Sequence, residues 1–188
     1  MIMNVIVPVL KSWLPLSAVI TLLCGIVYLV VQQNYRSNAN DPQIQMAEDV
    51  AFDLSRGIEP KSLVSSSSIE ISRSLKPFII IYDEKGNGVA ADGLLDQKIP
   101  TLPHGVLDFT RDHIEDAITW QPRSGVRNAL VIEYVPNGPF KGFVVAGRSL
   151  RVVEQRESML IKQIAVGWIV SLGLLFVFIV LLQIIFKL

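Results

Sequence analysis

The chain has 188 residues, 17 basic and 17 acidic, and 51 % of it is hydrophobic. A formal charge of zero with no basic stretch excludes the electrostatic footprint of a nucleic-acid binder. The single cysteine, Cys24, excludes an intramolecular disulfide and a thiolate metal site.

The charge is unevenly placed: 32 of 34 charged residues lie between Asn34 and Gln163, leaving only Lys11 and Lys187 outside. Residues 1–12 read as a short N-terminal segment. Trp13 to Val31 then runs without a charge, and a first transmembrane helix is expected over 13–33, with Pro15 in its first turn. A cleaved signal peptide is the competing reading. Against it, the apolar core is long, and QQNYR rather than a small-residue cleavage site follows Val31.

The middle, 34–163, is a water-soluble stretch with 15 basic and 17 acidic side chains, long enough for one core. Asp41 and Pro42 read as an N-cap and first-turn pair. Ile44, Ala47, Ala51 and Leu54 form an apolar stripe, and the helix stops near Arg56 and Gly57. The serine-rich KSLVSSSSIEISRSLKP is expected to hold a short helix over 67–75, a flexible loop being the alternative. FIIIY, the turn DEKGNG and VAADG make a hairpin. LLDQKIPTLPHG crosses irregularly, and VLDFTRDHIEDAI holds a short helix. A strand begins near Ile118 to Trp120, and Val126–Val135 and Gly142–Gly147 are strands. From Ser149 a helix carries Leu150, Val153, Glu157, Leu160 and Ile164 at seam spacing into a second apolar run.

That run, Ile164 to Phe186, holds no charge, so 164–186 is expected to span the bilayer and 187–188 to end the chain. Thr21 with Gly25, and Gly167 with Ser171, form small-xxx-small pairs suited to close helix packing. Lys11 and Lys187 on one side, against Arg36, Arg151, Arg156 and Lys162 on the other, would put the middle domain in the cytoplasm. The charge rule is weak for loops longer than about 60 residues, so charge leaves the orientation open.

No catalytic motif is present: HExxH, a Walker loop and GxSxG are all missing, and neither an enzyme nor a cofactor is expected. His104 and His113, amid Asp108, Asp112, Glu115 and Asp116, carry ligand types a metal would accept, but read as a solvated polar loop.

QQNYRSNANDPQIQMAED, FIIIYDEKGNGVAADG, ITWQPRSGVR and GFVVAGRSLRVVEQRE, in that order, resemble an extracytoplasmic PAS-like (PDC or Cache type) sensor domain. Such domains lie between the two membrane spans of bacterial sensor kinases. The resemblance implies an α+β fold, a PAS-like antiparallel sheet with flanking helices, plus two transmembrane α-helices. It implies a two-pass protein of the bacterial inner membrane, with the central domain on the periplasmic or extracellular side and both termini cytoplasmic. The sensor domain would cover 34–163, with an exit helix over 149–163. Nothing past the second span corresponds to a kinase, so no kinase activity is implied; the chain also fits the input part of a longer sensor. The implied site lies against the sheet, with Tyr82 and Trp120 as walls, Arg127 as a cation and Tyr134 as a hydroxyl, suited to a small carboxylate-type ligand. The implied function is a membrane-anchored sensor or regulator that signals through another membrane protein or a homodimer. A non-sensing structural accessory subunit of a membrane complex is the alternative.

Overall fold

The computed structural model describes residues 3–37 and 41–186, with side chains over 7–34 and 42–185. It is a mixed helix and strand protein. Helix α1 (Met3–Ser37) and helix α2 (Asp41–Ser55) are followed by a 3-10 turn at Pro60–Ser62. Strands β1 (Ile69–Glu70), β2 (Phe78–Asp83), β3 (Gly88–Ala91) and β4 (Gly93–Leu94) come next. Helix α3 (His104–His113), strands β5 (Glu115–Arg123), β6 (Val126–Val135) and β7 (Gly142–Ser149), and helix α4 (Arg151–Phe186) complete the chain.

Two compact units result. One holds Arg36–Glu154; the other is formed by α1 up to Tyr35 and the part of α4 from Gln155 onward.

In the first unit five strands form an antiparallel sheet in the order β3-β2-β7-β6-β5, and β1 pairs with β4 in a separate parallel ribbon. Successive strand residues point to opposite faces, so the sheet has two cores. Ile79, Ile81, Val131, Val135, Val144 and Ala146 pack against Ala47, Val50, Ala51 and Leu54 of α2. Phe78, Ile80, Tyr82, Leu130, Ile132, Phe143 and Val145 pack instead against Ile71, Leu102 and Leu107. Gly147 faces this second core: a Cβ there would lie 2.3 Å from Phe78 Cζ and 2.6 Å from Leu130 Cδ2, so only glycine admits both side chains.

The expected strands and hairpin form, and α2 stops one residue before Arg56, with Gly57 left-handed (φ 91°). The expected helix over 67–75 does not. Ile69 N–H donates to Asp92 O at 2.6 Å and Ile71 N–H to Leu94 O at 2.9 Å, so a parallel ribbon takes the backbone donors a helix would have used. Ser65 Oγ accepts from Ser67 N–H, the local competition that keeps serines out of helix interiors. β7 extends to Ser149, and α4 starts at Arg151 rather than Ser149, because Leu150 N–H still donates to Arg127 O of β6. Helix α3 ends at His113, where Ile114 turns left-handed (φ 71°) and β5 begins earlier than Ile118. The N-cap role of Asp41 lies outside the described side chains, as do residues 1–2 and 187–188.

In the second unit the two helices are long and apolar enough to cross a membrane, over Val7–Asn34 and Arg151–Ile185, with mean hydropathies of 2.5 and 2.8. Lys11, Pro8 and Pro15 all lie inside α1, so Pro15 is not in a first turn. An exposed lysine interrupts an apolar run without interrupting a helix. Val9, Trp13, Ser17, Ile20, Cys24 and Tyr28 of α1 are among the shielded positions, as are Glu157, Leu160, Ile164, Trp168, Leu172, Leu175 and Ile179 of α4. Both stripes repeat at eleven residues, the period of a right-handed drift between helices rather than of a heptad seam.

Large side chains make the contacts. Trp13 Nε1 donates to Leu172 O at 3.3 Å and its ring meets Phe176 edge-on at 6.3 Å. Trp168 Nε1 donates to Thr21 Oγ1 at 2.9 Å, and Gln32 Nε2 donates to Glu157 Oε1. Of the small-residue pairs only Thr21 takes part. Gly25, Gly167 and Ser171 are exposed, and a Cβ at either glycine would meet nothing within 4 Å, because indole and phenyl rings hold the backbones apart.

Candidate functional site

The four residues expected to line one pocket are dispersed by register. Tyr82 pairs with Phe143, and Phe143 with Tyr134, so these three side chains form one row across the second face. Trp120 pairs with Asn128, six residues from Tyr134 along β6, which is about 20 Å at strand rise. Arg127 stands at the opposite parity to Asn128 and Tyr134, so its side chain leaves from the other face.

Each is also engaged. Tyr82 is fully buried and its hydroxyl donates to Pro100 O at 2.6 Å; burial pushes that phenol's pKa up. Tyr134 donates to Glu84 Oε1 at 3.2 Å, and the Arg111 guanidinium lies 6.0 Å from its ring. Arg127 is exposed and ion-paired to Glu154. Trp120 borders a large cleft, and Arg127 only a cavity of about 30 Å³. His113 stacks on Phe109 at 3.9 Å, and among the described residues no three His, Cys, Asp or Glu side chains are placed to hold a metal ion.

What the fold does build lies where the crossing segment, Leu94 to Pro103, meets β1 and the edge strand β5. Two clefts adjoin there and share Asp96. One, of about 820 Å³, is lined by Ser68, Glu70, Ser72, Arg73, Leu94, Asp96, Gln97 and Arg123. The other, of about 800 Å³, is lined by Leu95, Asp96, Lys98, Ile99, Pro100, Thr101, Leu102, Pro103, Trp120 and Pro122. Arg123 Nη1 donates to both Asp96 oxygens at 3.1 Å on the boundary. Both partners are exposed, so the pair adds little stability and is free to exchange for a ligand.

The carboxylate of Glu70 organises the polar cleft. Ser72 Oγ donates to it at 2.7 Å and Ser72 N–H at 3.3 Å. Asp96 and Gln97 are both left-handed (φ 52° and 62°), and their backbone N–H groups also favour the ionised form of Glu70. The Ser72 hydroxyl is the largest influence, burial opposes it, and the net result is a pKa below the usual value. Two non-glycine residues in sequence at positive φ cost strain, which the fold retains beside this cleft. Arg73 is exposed and has no ion-pair partner among the described residues. Two guanidinium groups, two hydroxyls and an amide thus share one hollow with the carboxylates of Glu70 and Asp96; Arg123 is held by Asp96, which leaves Arg73 as the group suited to a small carboxylate or phosphate.

The cleft wall is joined to α4. Arg151 Nη2 donates to the carbonyl of Ser72 at 2.9 Å, and Arg151 N–H to Ser149 Oγ at 3.4 Å. The Arg127–Glu154 ion pair braces the same first turn of α4. Arg73, Arg123, Glu70 and Ser72 escaped the sequence reading because they lie at strand ends and in the turn after β1, whose convergence depends on the β1–β4 ribbon. Asn128 was within reach, as the one polar residue in the row Val126, Asn128, Leu130, Ile132, Tyr134. The chain matches no family model and no curated protein.

Proposed function

We propose that this is a membrane-anchored, sensor-like or regulatory protein, in which a small anionic ligand in the polar cleft biases α4 and a partner membrane protein or second copy receives the change. The observation that carries this reading is the hydrogen bond from Arg151, the first residue of α4, to Ser72 in the cleft wall. A ligand that pulls on Arg73 moves the Ile71–Arg73 turn, and that turn holds the start of a helix that continues to Phe186. Transmission then needs only that the ligand prefer one of two positions of this helix.

The observed order also favours a PAS-like fold: incoming helix α2, hairpin β2–β3, a crossing with α3, antiparallel β5–β7 and outgoing helix α4. With it goes placement in a bacterial inner membrane, the central domain outside and both termini in the cytoplasm. The accessory-subunit reading expects a closed domain, and the two open clefts speak against it.

The test uses the full chain in detergent, screened for thermal stabilisation by small carboxylates, amino acids and divalent ions. A ligand that binds only the folded state must raise its stability. The expected result is stabilisation by an anion that Arg73→Ala and Arg123→Ala abolish. Spin labels at Gln33→Cys and Ser158→Cys, in a Cys24→Ser background, should change separation on binding, and Arg151→Ala should remove the change while keeping the binding. A screen with no stabilising molecule would favour the accessory subunit.

A further inference from the structure

Asn128 has no exposed surface, and neither Oδ1 nor Nδ2 has a hydrogen-bond partner in the protein. A buried amide left unpaired is destabilising, and such groups in native folds call for a reason. On this face of β6 the next inward positions, Leu130 and Ile132, are apolar and fully buried, so an amide at 128 departs from the pattern of its own row.

The register supplies the reason. Across the second face the row reads Trp120, Asn128, Ser149 from the free edge inward. Trp120 lines the 800 Å³ groove, and β5 is the edge strand. On the other flank Ser149 lines a cavity of about 30 Å³ with Ile71, Ser72 and Arg151. The amide therefore lies between a large groove and a small polar hollow, one side chain in from the opening. Trp120, its register partner on the edge strand, stands between it and the groove side of the row.

Resting on the sensor reading above, we propose that Asn128 is a ligand-recognition residue, reached when Trp120 swings aside, and that it takes a neutral amide, lactam or similar group offering one donor beside one acceptor. A primary amide presents one acceptor and a two-hydrogen donor in a plane, so it pairs in two-point fashion with such an edge. An ionised carboxylate accepts only, and leaves the Asn128 oxygen unpaired. Arg73 and Arg123 thus select charge in the adjoining polar cleft, and Asn128 selects a neutral polar group behind the Trp120 groove.

The experiment compares benzamide with benzoate, which match in shape and differ in the donor. The full chain, labelled with 15N at asparagine and held in detergent, is titrated with each, and the Asn128 side-chain signal is identified by its loss in Asn128→Leu. Benzamide should shift that signal saturably, and Asn128→Leu should weaken benzamide at least tenfold. Asn128→Leu should itself melt no lower than the parent, because an apolar residue replaces an unpaired amide. Benzamide leaving the Asn128 signal unmoved, or binding Asn128→Leu as tightly as the parent, overturns the inference. The signal comes from the unaltered protein, so a misfolded variant does not remove the test. Benzoate binding that needs Arg73 and Arg123, with no benzamide response, overturns the role of Asn128 and leaves the sensor reading standing. A benzamide response at Asn128 without any change between the α1 and α4 spin labels does the reverse.

Discussion

The two faces of the five-stranded sheet are closed in different ways. One is covered by α2, which satisfies its own backbone polar groups and lays Ala47, Ala51 and Leu54 onto a flat apolar surface. The other is covered by β1, the crossing segment and α3, whose irregular backbone must find partners one at a time: Pro100 O in the Tyr82 hydroxyl, Leu95 and Lys98 in each other. A helix closes a surface completely, whereas a loop that must satisfy each carbonyl separately leaves hollows beside it. The clefts and the left-handed Asp96 and Gln97 belong to the loop-covered face, whereas buried unpaired polar groups occur on both: Asn128 beneath the loops, Gln43 and Glu133 on the α2 side.

The largest break in this contrast should come from the helical side. Leu54 is fully buried, and Leu54→Ala should cost about 2–5 kcal/mol in unfolding measurements through lost transfer energy and the cavity left behind. Gly147→Ala tests the loop-covered side from the other direction. Its methyl group would collide with Phe78 and Leu130, and overpacking of this kind costs about 1–3 kcal/mol.

The faces also differ in the sign of their pH response. Glu133, toward α2, has its pKa raised to about 7, first by burial and then by Glu48 on α2 and Glu115, its direct partner on β5. On the neighbouring strand β7 it faces Val144, which brings no compensating charge. A carboxyl raised in the folded state binds a proton that the unfolded chain releases, so this contribution is full below about 4.5 and lost as pH rises toward 7. Glu133→Gln should flatten the melting temperature across that window and raise it above pH 7. Glu70, on the cleft side, is depressed, so its contribution is present above its ordinary value and lost only as the solution becomes more acidic. Glu70→Gln should therefore destabilise the neutral-pH protein and leave the acid melt little changed.

Smaller effects sharpen the picture. Tyr82→Phe should cost about 1 kcal/mol, the net worth of the hydrogen bond to Pro100 O, and should speed hydrogen exchange in the crossing segment while leaving α2 protected. Arg127→Ala should change stability by under about 1 kcal/mol, since its ion pair with Glu154 is exposed, and should leave ligand binding intact. Loss of binding in Arg127→Ala with a normal melt would return that arginine to the site.

Local pattern determined much of this protein. The charge-free runs Trp13–Val31 and Ile164–Phe186 specified two helices able to cross a membrane, because they carry no charge and few polar side chains. The β-branched run Phe78–Tyr82 with its glycine turn specified the hairpin, and the stripe on α2 specified which side it buries. These features reside in neighbours along the chain, where periodicity is visible. The tertiary structure alone decided the rest. Ser67–Leu75 became a ribbon because Asp92 and Leu94, distant in sequence, offered carbonyls to Ile69 and Ile71. Gly25 and Gly167 were left bare because tryptophans elsewhere on the helices set their separation. Arg127 and Asn128 are adjacent in sequence, yet strand parity and register sent one to an exposed ion pair and the other to a buried row beside Trp120.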